Sequence, residues 1–407
     1  MDIFDKYVLA SGRHDRVLEF GRDPFNLRME DIRSATEAVV NGRPTILVGT
    51  NNYLGMTFDP ACVEAAIAAI RSYGTGTTGS RIANGTYAAH LELEQALCRF
   101  LKRRSTMVFP TGYQANLGIL AGLAGPADTI FLDADSHASI YDGCRLSGAT
   151  LVRFRHNDAN DLDKRLRRLG DQGGCKLIVV EGIYSMLGDR APLVEFAAVK
   201  RRHGAYLLVD EAHSLGVLGD HGRGLAEEQG VEDEVDFVVG TFSKSLGAVG
   251  GFGASNHPGF EVLRFCSRPY MFTASSSPSN VASVAAAVRR LEEQPELRRR
   301  LWDNARALHE GLSRLGLEVA SPESPVIAVR MRDEEDAIRA WNRLLENGVY
   351  VNLALPPGTP SGFCLLRCSV SAAHTSEQIG EIVRRFEAVV DPRDTASEAK
   401  RAAGAGS

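Results

Sequence analysis

The sequence predicts an α/β fold in which a large domain, built on a mostly parallel sheet with helices on both faces, precedes a smaller C-terminal α+β domain. Between residues 107 and 255, short apolar runs recur, and several are separated by stretches long enough for a helix. These runs are continuous rather than alternating, which is typical of strands buried on both faces of a parallel sheet. After about residue 276, long helical patterns are split by short strand-like runs, which is typical of an α+β domain.

The N-terminal part is predicted to be an arm over residues 1–40, because it is polar with scattered apolar positions at helical spacing. The large domain then covers residues 41–275. It begins with a strand-like run at Pro44 and a helix over 60–73, which has Pro60 at its first position and Gly74 just after its end. The predicted strands that follow begin at Met107, Thr129, Leu151, Lys176, Ala205 and Phe237, and a helix is predicted over 114–124.

The small domain is predicted over residues 276–392. It contains a long amphipathic helix over about 279–316, a strand at Val326, a helix over about 333–347, strands at Tyr350 and Cys364, and a last helix over about 375–390. Residues 393–407 are rich in Ala, Gly and polar residues and are predicted to be a flexible tail.

Length and charge exclude several classes of protein. The 407 residues are enough for two or three domains with a large core. There are 46 basic and 51 acidic residues, a net charge of −5, so no general electrostatic attraction to nucleic acid is expected.

The seven cysteines are scattered without C-x-x-C spacing, which favours reduced thiols in a cytoplasmic protein without a thiolate metal site. No apolar run is long enough to span a membrane, so we expect a soluble protein, a conclusion compatible with peripheral association with the inner membrane surface.

Three short motifs suggest other functions but lack their required context. The G-x-G-x-x-G pattern at 74–79 follows a predicted helix instead of a strand, so a flexible Gly/Thr loop is favoured over a dinucleotide site. The segment DEAH at 210–213 is typical of nucleotide-driven proteins, but these also need a phosphate loop, and the chain contains no Gly-Lys dipeptide. The G-x-S-x-G motif of α/β-hydrolases is absent.

Two residues at predicted strand ends point to cofactor chemistry. Lys244, one of only seven lysines, follows the strand that begins at Phe237, and Asp210 ends the preceding strand, with His213 three residues later. Ligands of open parallel sheets bind at the carboxyl ends of strands. A lysine that forms a Schiff base and a buried carboxylate that keeps a pyridine nitrogen protonated are the groups that pyridoxal 5'-phosphate requires. The sequence therefore predicts a pyridoxal phosphate site.

Other segments can meet the remaining needs of this cofactor. Gly112 and Tyr113 follow a strand and open a helix, whose first amides can bind the phosphate. His137 follows the strand that begins at Thr129 and can stack on a flat ring. Its alternative role is that of a helix-start histidine whose polar atoms are satisfied by neighbours.

Five segments together resemble a known family. They are NNYLG (51–55), GSR (79–81), EGIYSMLGD (181–189), VDEAHS (209–214) and TFSKSLG (241–247). In this order they resemble the α-oxoamine synthases, pyridoxal phosphate enzymes of fold type I. The resemblance covers most of the chain, from about residue 20 to about residue 390.

The resemblance implies roles for individual residues. Lys244 would hold the cofactor, Asp210 would pair with the pyridine nitrogen, and His137 would stack on the ring. His213 and Ser185 would approach the ring hydroxyl. The phosphate would be held by Gly112, Tyr113, Thr241 and Ser243, and by Thr273 from the second subunit of a homodimer. Substrate binding would involve Asn52, Ser80 and Arg367, the last because its planar fork suits a carboxylate.

Within the family, segments 53–60, 133–143, 268–275 and 356–360 are most similar to members that condense L-serine with palmitoyl-CoA, with loss of CO₂, to give 3-ketodihydrosphingosine, the first step of sphingolipid synthesis. The acyl carrier would be coenzyme A or an acyl carrier protein. Some bacterial members have Arg where this chain has Leu355, which leaves substrate recognition at that position open. The alternatives are a sister activity with glycine or alanine, which would make 5-aminolevulinate, 2-amino-3-ketobutyrate or 8-amino-7-oxononanoate, and an aminotransferase.

Overall fold

The computed structural model describes residues 2–170 and 172–395. Contacts between residues divide the chain into two units. The large unit comprises Asn52–Ser185 and Asp189–Arg299. The small unit comprises Met1–Asn51, Met186–Gly188 and Arg300–Ser407, as far as these are described.

The strands are, in chain order, β1 Met29–Ile32, β2 Glu37–Val40, β3 Arg43–Leu47, β4 Ser105–Phe109, β5 Thr129–Asp133, β6 Thr150–Phe154, β7 Lys176–Glu181, β8 Tyr206–Asp210, β9 Phe237–Thr241, β10 Gly251–Ser255, β11 Val326–Met331, β12 Val349–Tyr350, β13 Asn352–Ala354 and β14 Cys364–Ser369.

The α-helices are α1 Val8–Phe20, α2 Pro60–Tyr73, α3 Ala88–Leu101, α4 Gly112–Leu123, α5 Ala138–Ser147, α6 Ala159–Leu169, α7 Leu193–His203, α8 Leu225–Glu228, α9 Leu263–Cys266, α10 Arg268–Met271, α11 Pro278–Glu293, α12 Glu296–Arg314, α13 Glu334–Glu346, α14 Ser376–Val389 and α15 Pro392–Thr395. Short 3-10 helices cover Asp5–Tyr7, Pro24–Asn26, Met56–Phe58, Glu232–Glu234, Phe260–Val262 and Pro360–Gly362.

The large unit contains a seven-stranded sheet in the order β4-β10-β9-β8-β7-β5-β6. All neighbouring pairs are parallel except the two made by β10, which is antiparallel to both β4 and β9. The predicted mostly parallel sheet is confirmed, and its six predicted strands all form. Because β5, β7, β8 and β9 run in the same direction, the loops that follow them lie at one edge of the sheet.

The sequence did not reveal β10, because GFGAS has two glycines and few residues of high strand propensity. Packing explains these glycines. A Cβ on Gly253 would lie 2.5 Å from Ile119 of α4, and a Cβ on Gly240 in β9 would lie 2.5 Å from the Phe252 ring. Both positions need glycine because neighbouring side chains occupy the space.

The small unit contains two sheets, in the orders β1-β2-β3-β12 and β11-β14-β13. Strands β1 and β2 lie in the predicted N-terminal arm, where we expected only helical spacing, so that expectation is wrong for residues 29–40. The missed signal is the dipeptide Asn41-Gly42 between β2 and β3. Both residues have positive φ (48° and 76°), as a tight hairpin turn requires.

The predicted long helix over 279–316 is wrong in one respect, because it is two helices, α11 and α12. Pro295 lies between them, and Gln294 before it has φ −127° and ψ 66°, outside the helical region. Proline lacks an amide hydrogen and disfavours helical geometry in the residue before it. Helix α11 contacts α2 and α3 in the large unit, whereas the sequence placed it in the small domain. That the predicted domains can each fold alone stays a prediction.

The predicted flexible tail begins too early. Asp394 and Thr395 lie in α15, and Thr395 is buried. The Thr395 hydroxyl accepts a hydrogen bond from the amide of Glu318, and the Asp394 carbonyl accepts one from the amide of Arg332. The rest of that predicted tail, residues 396–407, lies outside the described residues. Across the described part of the chain, no helix is both long and apolar enough to cross a membrane.

Candidate active site

A cavity of about 310 Å³ lies at the carboxyl-end edge of the large sheet. We call it the strand-end cavity. Eight of the predicted site residues line it: Gly112, Tyr113, His137, Asp210, His213, Thr241, Ser243 and Lys244. The fold therefore brings together the residues predicted for the lysine attachment, the pyridine nitrogen, the ring face and the phosphate.

Asp210 is the last residue of β8 and is 4% exposed. Its Oδ2 accepts a hydrogen bond from Asn116 Nδ2 at 2.8 Å, and its Oδ1 accepts one from the Ala212 amide at 2.9 Å. Both donors are neutral. A buried carboxylate is stabilised best by an opposite charge together with hydrogen bonds, so this side chain is suited to a cationic N–H group of a ligand in the strand-end cavity.

Lys244 lies in the turn between β9 and β10 and is half-buried. The turn is closed by two hydrogen bonds from backbone amides, Phe242 to the Gly250 carbonyl and Ala248 to the Phe242 carbonyl, both at 2.9 Å. Gly247 has φ +65°, and a Cβ there would lie 2.7 Å from the Thr57 amide nitrogen. The glycine that follows the lysine in the TFSKSLG segment is thus required by the turn that places Lys244 at the cavity.

His137 caps the start of α5, which is its alternative role, and it also lines the cavity, while its role in stacking on a ring stays a prediction. Its Nδ1 accepts a hydrogen bond from the Ser139 amide at 3.2 Å and lies 2.8 Å from Ser139 Oγ. Ser139 Oγ itself accepts from Asn116 Nδ2 at 3.0 Å, which leaves its proton for Nδ1. The hydrogen-bond network therefore assigns the ring proton to Nε2. Burial lowers the pKa of His137, which keeps the ring neutral.

Glu181, the last residue of β7, was not predicted as a site residue. It lines the cavity, is 3% exposed, and accepts a hydrogen bond from the His137 amide at 2.5 Å. Burial and the nearby Asp210 charge raise its pKa well above the usual value. Its position at a strand end is the same signal that identified Asp210. Asn116 and Ser139 were also missed, and nothing in their sequence context distinguishes them from ordinary helix residues.

The residues predicted to bind the phosphate of the cofactor lie at and beside the start of α4. Thr111 caps the helix, and its Oγ1 accepts a hydrogen bond from the Gln114 amide at 3.0 Å. Helix geometry leaves the first amides, those of Gly112 and Tyr113, available to an anion. A Cβ on Gly112 would lie 2.7 Å from the Thr241 Cβ, so glycine permits close approach of α4 to β9. The Thr241 and Ser243 hydroxyls are 2.9 Å apart beside this helix end.

His213 is held by a residue that sequence reasoning did not assign. Its Nδ1 lies 2.7 Å from the hydroxyl of Tyr53, which is completely buried. Tyr53 belongs to the NNYLG segment, so the motif itself was the available signal. The contact fixes the orientation of the imidazole at the cavity wall.

Four predicted residues of the large unit are not among those that line the cavity: Ser185, Thr273, Asn52 and Ser80. Thr273 Oγ1 accepts a hydrogen bond from Gln114 Nε2 of the same chain at 3.3 Å. Asn52 Nδ2 donates to Thr57 Oγ1 at 2.7 Å, and Asn52 Oδ1 is buried without a hydrogen-bond partner in the described structure. The roles assigned to these four residues stay predictions.

Arg367 lies on β14 in the small unit and is 5% exposed. Its Nη1 and Nη2 each donate to Asn51 Oδ1 at 3.2 Å, and Nη1 donates to Ser369 Oγ at 3.0 Å. Leu355 packs against the apolar core of the same unit. The guanidinium is thus oriented by two neutral neighbours, one of them in the NNYLG segment.

The residues present fit pyridoxal phosphate. A buried carboxylate with neutral donors suits the pyridine nitrogen, the neutral His137 suits the ring face, and a helix start suits the phosphate. The family model for aminotransferase class I and II matches residues 43–386. The chain belongs to this family.

Similarity to individual proteins is more specific. The chain is 59% identical to the serine palmitoyltransferase of Caulobacter vibrioides over 386 residues, which is 95% of this chain and 96% of that protein. A solved serine palmitoyltransferase structure with the pyridoxal phosphate internal aldimine is 52% identical, with a TM-score of 0.93, 96% of this chain and 98% of that chain covered. An 8-amino-7-oxononanoate synthase of Geobacter metallireducens is 41% identical over 87% of this chain and 91% of that protein.

Proposed function

We propose that this protein catalyses the pyridoxal phosphate-dependent condensation of L-serine with a long-chain acyl thioester, with loss of CO₂. With palmitoyl-CoA the product is 3-ketodihydrosphingosine. The proposal rests on the 59% identity to a serine palmitoyltransferase over 95% of the chain. The sister activity that makes 8-amino-7-oxononanoate is less favoured, because the similarity to such a synthase is lower, at 41%.

The reaction forms one carbon–carbon bond and breaks one carbon–sulfur bond and one carbon–carbon bond, while a Cα–H bond is broken and formed again. The serine Cα loses its proton and bonds to the acyl carbonyl carbon, and the carbon–sulfur bond of the thioester breaks to release the thiol. The bond between Cα and the carboxylate then breaks, CO₂ leaves, and Cα takes up a proton. Pyridoxal phosphate, when bound, accepts the electron pair that loss of the proton and loss of CO₂ each leave at Cα. The electron pair of the carbon–sulfur bond leaves with the sulfur, which takes up a proton.

The residues of the strand-end cavity have distinct tasks in this reaction. Lys244 would hold the cofactor, and its amine would take the Cα proton of serine. Asp210 keeps a proton on the pyridine nitrogen and so stabilises the negative charge that develops. His137 presents its neutral ring to the cofactor, and His213 and Ser185 bind the ring hydroxyl. The phosphate is held by the amides of α4 and the hydroxyls at the end of β9.

Substrate binding is assigned to three further residues. Arg367 binds the serine carboxylate through two parallel hydrogen bonds, the geometry in which arginine is superior to lysine. Asn52 contributes the Oδ1 atom that has no other partner in the described structure. Ser80 is the third residue to which substrate binding is assigned.

The active form is proposed to be a cytoplasmic homodimer in which Thr273 reaches the phosphate of the partner subunit. The acyl carrier is coenzyme A or an acyl carrier protein, and the enzyme associates peripherally with the inner membrane surface when its acyl substrate is there. Sedimentation at assay concentration tests the dimer, and a fully active monomer contradicts it.

The decisive experiment is a panel of amino acids and acyl thioesters with product mass and CO₂ measured together. We expect serine with long-chain thioesters to be preferred, because each buried CH₂ contributes about 0.8 kcal/mol. Highest turnover with glycine or alanine and short thioesters would instead identify a sister activity. An aminotransferase would release no CO₂.

A further inference from the structure

His156 of the large unit lies between two carboxylates. Its Nδ1 is 2.8 Å from Asp133 Oδ1, and its Nε2 is 2.7 Å from Asp189 Oδ2. Asp133 is completely buried, whereas the side chains of His156 and Asp189 are 25% and 24% exposed. The Tyr184 ring packs edge-on against the imidazole, with ring centres 4.4 Å apart.

This arrangement requires the imidazole to carry a positive charge. Ionised carboxylates only accept hydrogen bonds, and a neutral imidazole has a single N–H group. Both nitrogens of His156 face a carboxylate oxygen at hydrogen-bond distance, so both must be protonated. The resulting charge-assisted hydrogen bonds are stronger than neutral ones.

We call the arrangement of Asp133, His156 and Asp189 the His156 bridge. The bridge joins two segments that hold His137 from two directions. Asp133 ends β5, four residues before His137, and Asp189 lies in the loop after β7. Glu181, the end of β7, accepts the His137 amide hydrogen bond. Asn157, next to His156, reinforces the link, because its amide donates to Asp133 Oδ2 at 2.9 Å and its Nδ2 donates to Asp189 Oδ2 at 2.8 Å.

We propose that His156 is a positioning residue, which as a cation joins the loops after β5 and β7 and thereby fixes His137 in the strand-end cavity. His156 is not among the cavity-lining residues, so it acts through the loops and does not touch the cofactor. The identity of the cofactor in this inference rests on the proposed function.

The groups that face His156 are nearly all acidic. They are Asp133, Asp189, Tyr184 and Asp135, whose Oδ2 lies 3.9 Å from Nδ1. Burial disfavours the charge on His156, but the hydrogen bonds and charges of Asp133 and Asp189 outweigh burial and raise its pKa to about 10. The bridge is therefore intact over the whole neutral range.

The test compares two histidine–aspartate contacts in the same unit. His156→Gln removes the bridge. His203→Gln is the matched control, because His203 Nε2 lies 2.9 Å from Asp163 Oδ1 and joins α7 to α6, and neither residue lines the strand-end cavity. Pyridoxal phosphate affinity is measured from cofactor absorbance on re-titration of each resolved enzyme, well below its unfolding temperature, with unfolding measured separately.

We expect H156Q to bind pyridoxal phosphate about tenfold more weakly, a change that corresponds to about 1.4 kcal/mol, and H203Q to bind it as the wild type does. Asp189→Asn should reproduce the H156Q effect, and the double variant should add little, because the two residues act together. If H156Q does not fold, the D189N variant tests the inference in its place. Unchanged affinity in H156Q and D189N, with only a loss of stability, overturns the inference. If the wild type binds no pyridoxal phosphate, the proposed function fails instead.

Discussion

Asn116 Nδ2 donates hydrogen bonds both to Asp210 Oδ2, at 2.8 Å, and to Ser139 Oγ, at 3.0 Å. Ser139 in turn contacts His137 Nδ1. A single buried amide thus links the carboxylate proposed for the pyridine nitrogen to the histidine proposed for the ring face. These two functions should respond together when Asn116 is changed.

Replacing Asn116 by Ala should therefore lower activity without unfolding the protein. The lost hydrogen bond to a charged carboxylate costs about 1.5–3 kcal/mol, which is about 10- to 150-fold in rate if it acts on the transition state. Steady-state kinetics with serine and palmitoyl-CoA measure the effect. A wild-type kcat in this variant would mean that the amide is only part of the packing.

Lys244→Ala should abolish covalent attachment of the cofactor, since Lys244 is the lysine that lines the strand-end cavity. Borohydride reduction followed by mass spectrometry should label Lys244 in the wild type and no lysine in the variant. Lys200, which is 2.9 Å from Asp236 and away from the cavity, provides a matched control as Lys200→Ala. Labelling of another lysine in Lys244→Ala would contradict the assignment.

Asp210→Asn should keep the fold but lose most activity. The amide has nearly the shape of the carboxylate but carries no charge to stabilise a protonated pyridine nitrogen. Loss of a comparable electrostatic contact costs on the order of 10²- to 10³-fold in rate. The comparison needs kcat at saturating cofactor, and a nearly normal value would make Asp210 structural only.

The His156 bridge should give the unfolding free energy a distinct pH dependence. The folded pKa of about 10 lies above the ordinary histidine value of 6.5, so the folded state binds more protons between these two pH values. The stabilisation is fully present below about pH 6.5 and is lost as pH rises through 10. Chemical unfolding at several pH values should show a steeper decline from pH 7 to 10 in the wild type than in H156Q. Parallel curves for the two proteins would exclude a charged bridge.

Arg367→Ala should weaken serine binding by about 1.5–3 kcal/mol, the usual range for hydrogen bonds to a charged group. Arg367→Lys should recover only part of it, because lysine lacks the planar fork. Titration with serine, followed by cofactor absorbance, measures the affinity. Serine affinity that is unchanged in Arg367→Ala would assign the carboxylate to another residue.

Much of the fold was accessible from the sequence because buried parallel strands are continuous apolar runs. Strand β10 was not, since GFGAS owes its strand conformation to pairing on both sides and its glycines to close neighbours. The break at Pro295 and the Asn41-Gly42 turn, in contrast, are marked by clear local signals in the sequence.

The predictable part of the site consists of charged residues at strand ends and the start of α4. Lys244, Asp210 and Gly112 are marked by their position in the sequence pattern. Asn116 and Ser139 depend on hydrogen bonds between α4, α5 and β8, which only the folded chain brings together. Periodicity places such residues on a helix but does not identify their partners.

Strand β10 also fixes the spacing between two segments of the proposed cofactor site. Gly251 is paired with Phe109 on one side and with Thr241 on the other. Phe109 leads into the helix start proposed for the phosphate, and Thr241 leads into the turn that contains Lys244. Slippage of β10 by one residue against one of its neighbours would shift the corresponding anchoring point by about 3.4 Å along the strand. The number of residues between Thr241 and Gly251 therefore sets where the Lys244 turn lies relative to the proposed phosphate site. An insertion between these two residues should be tolerated less well than a substitution.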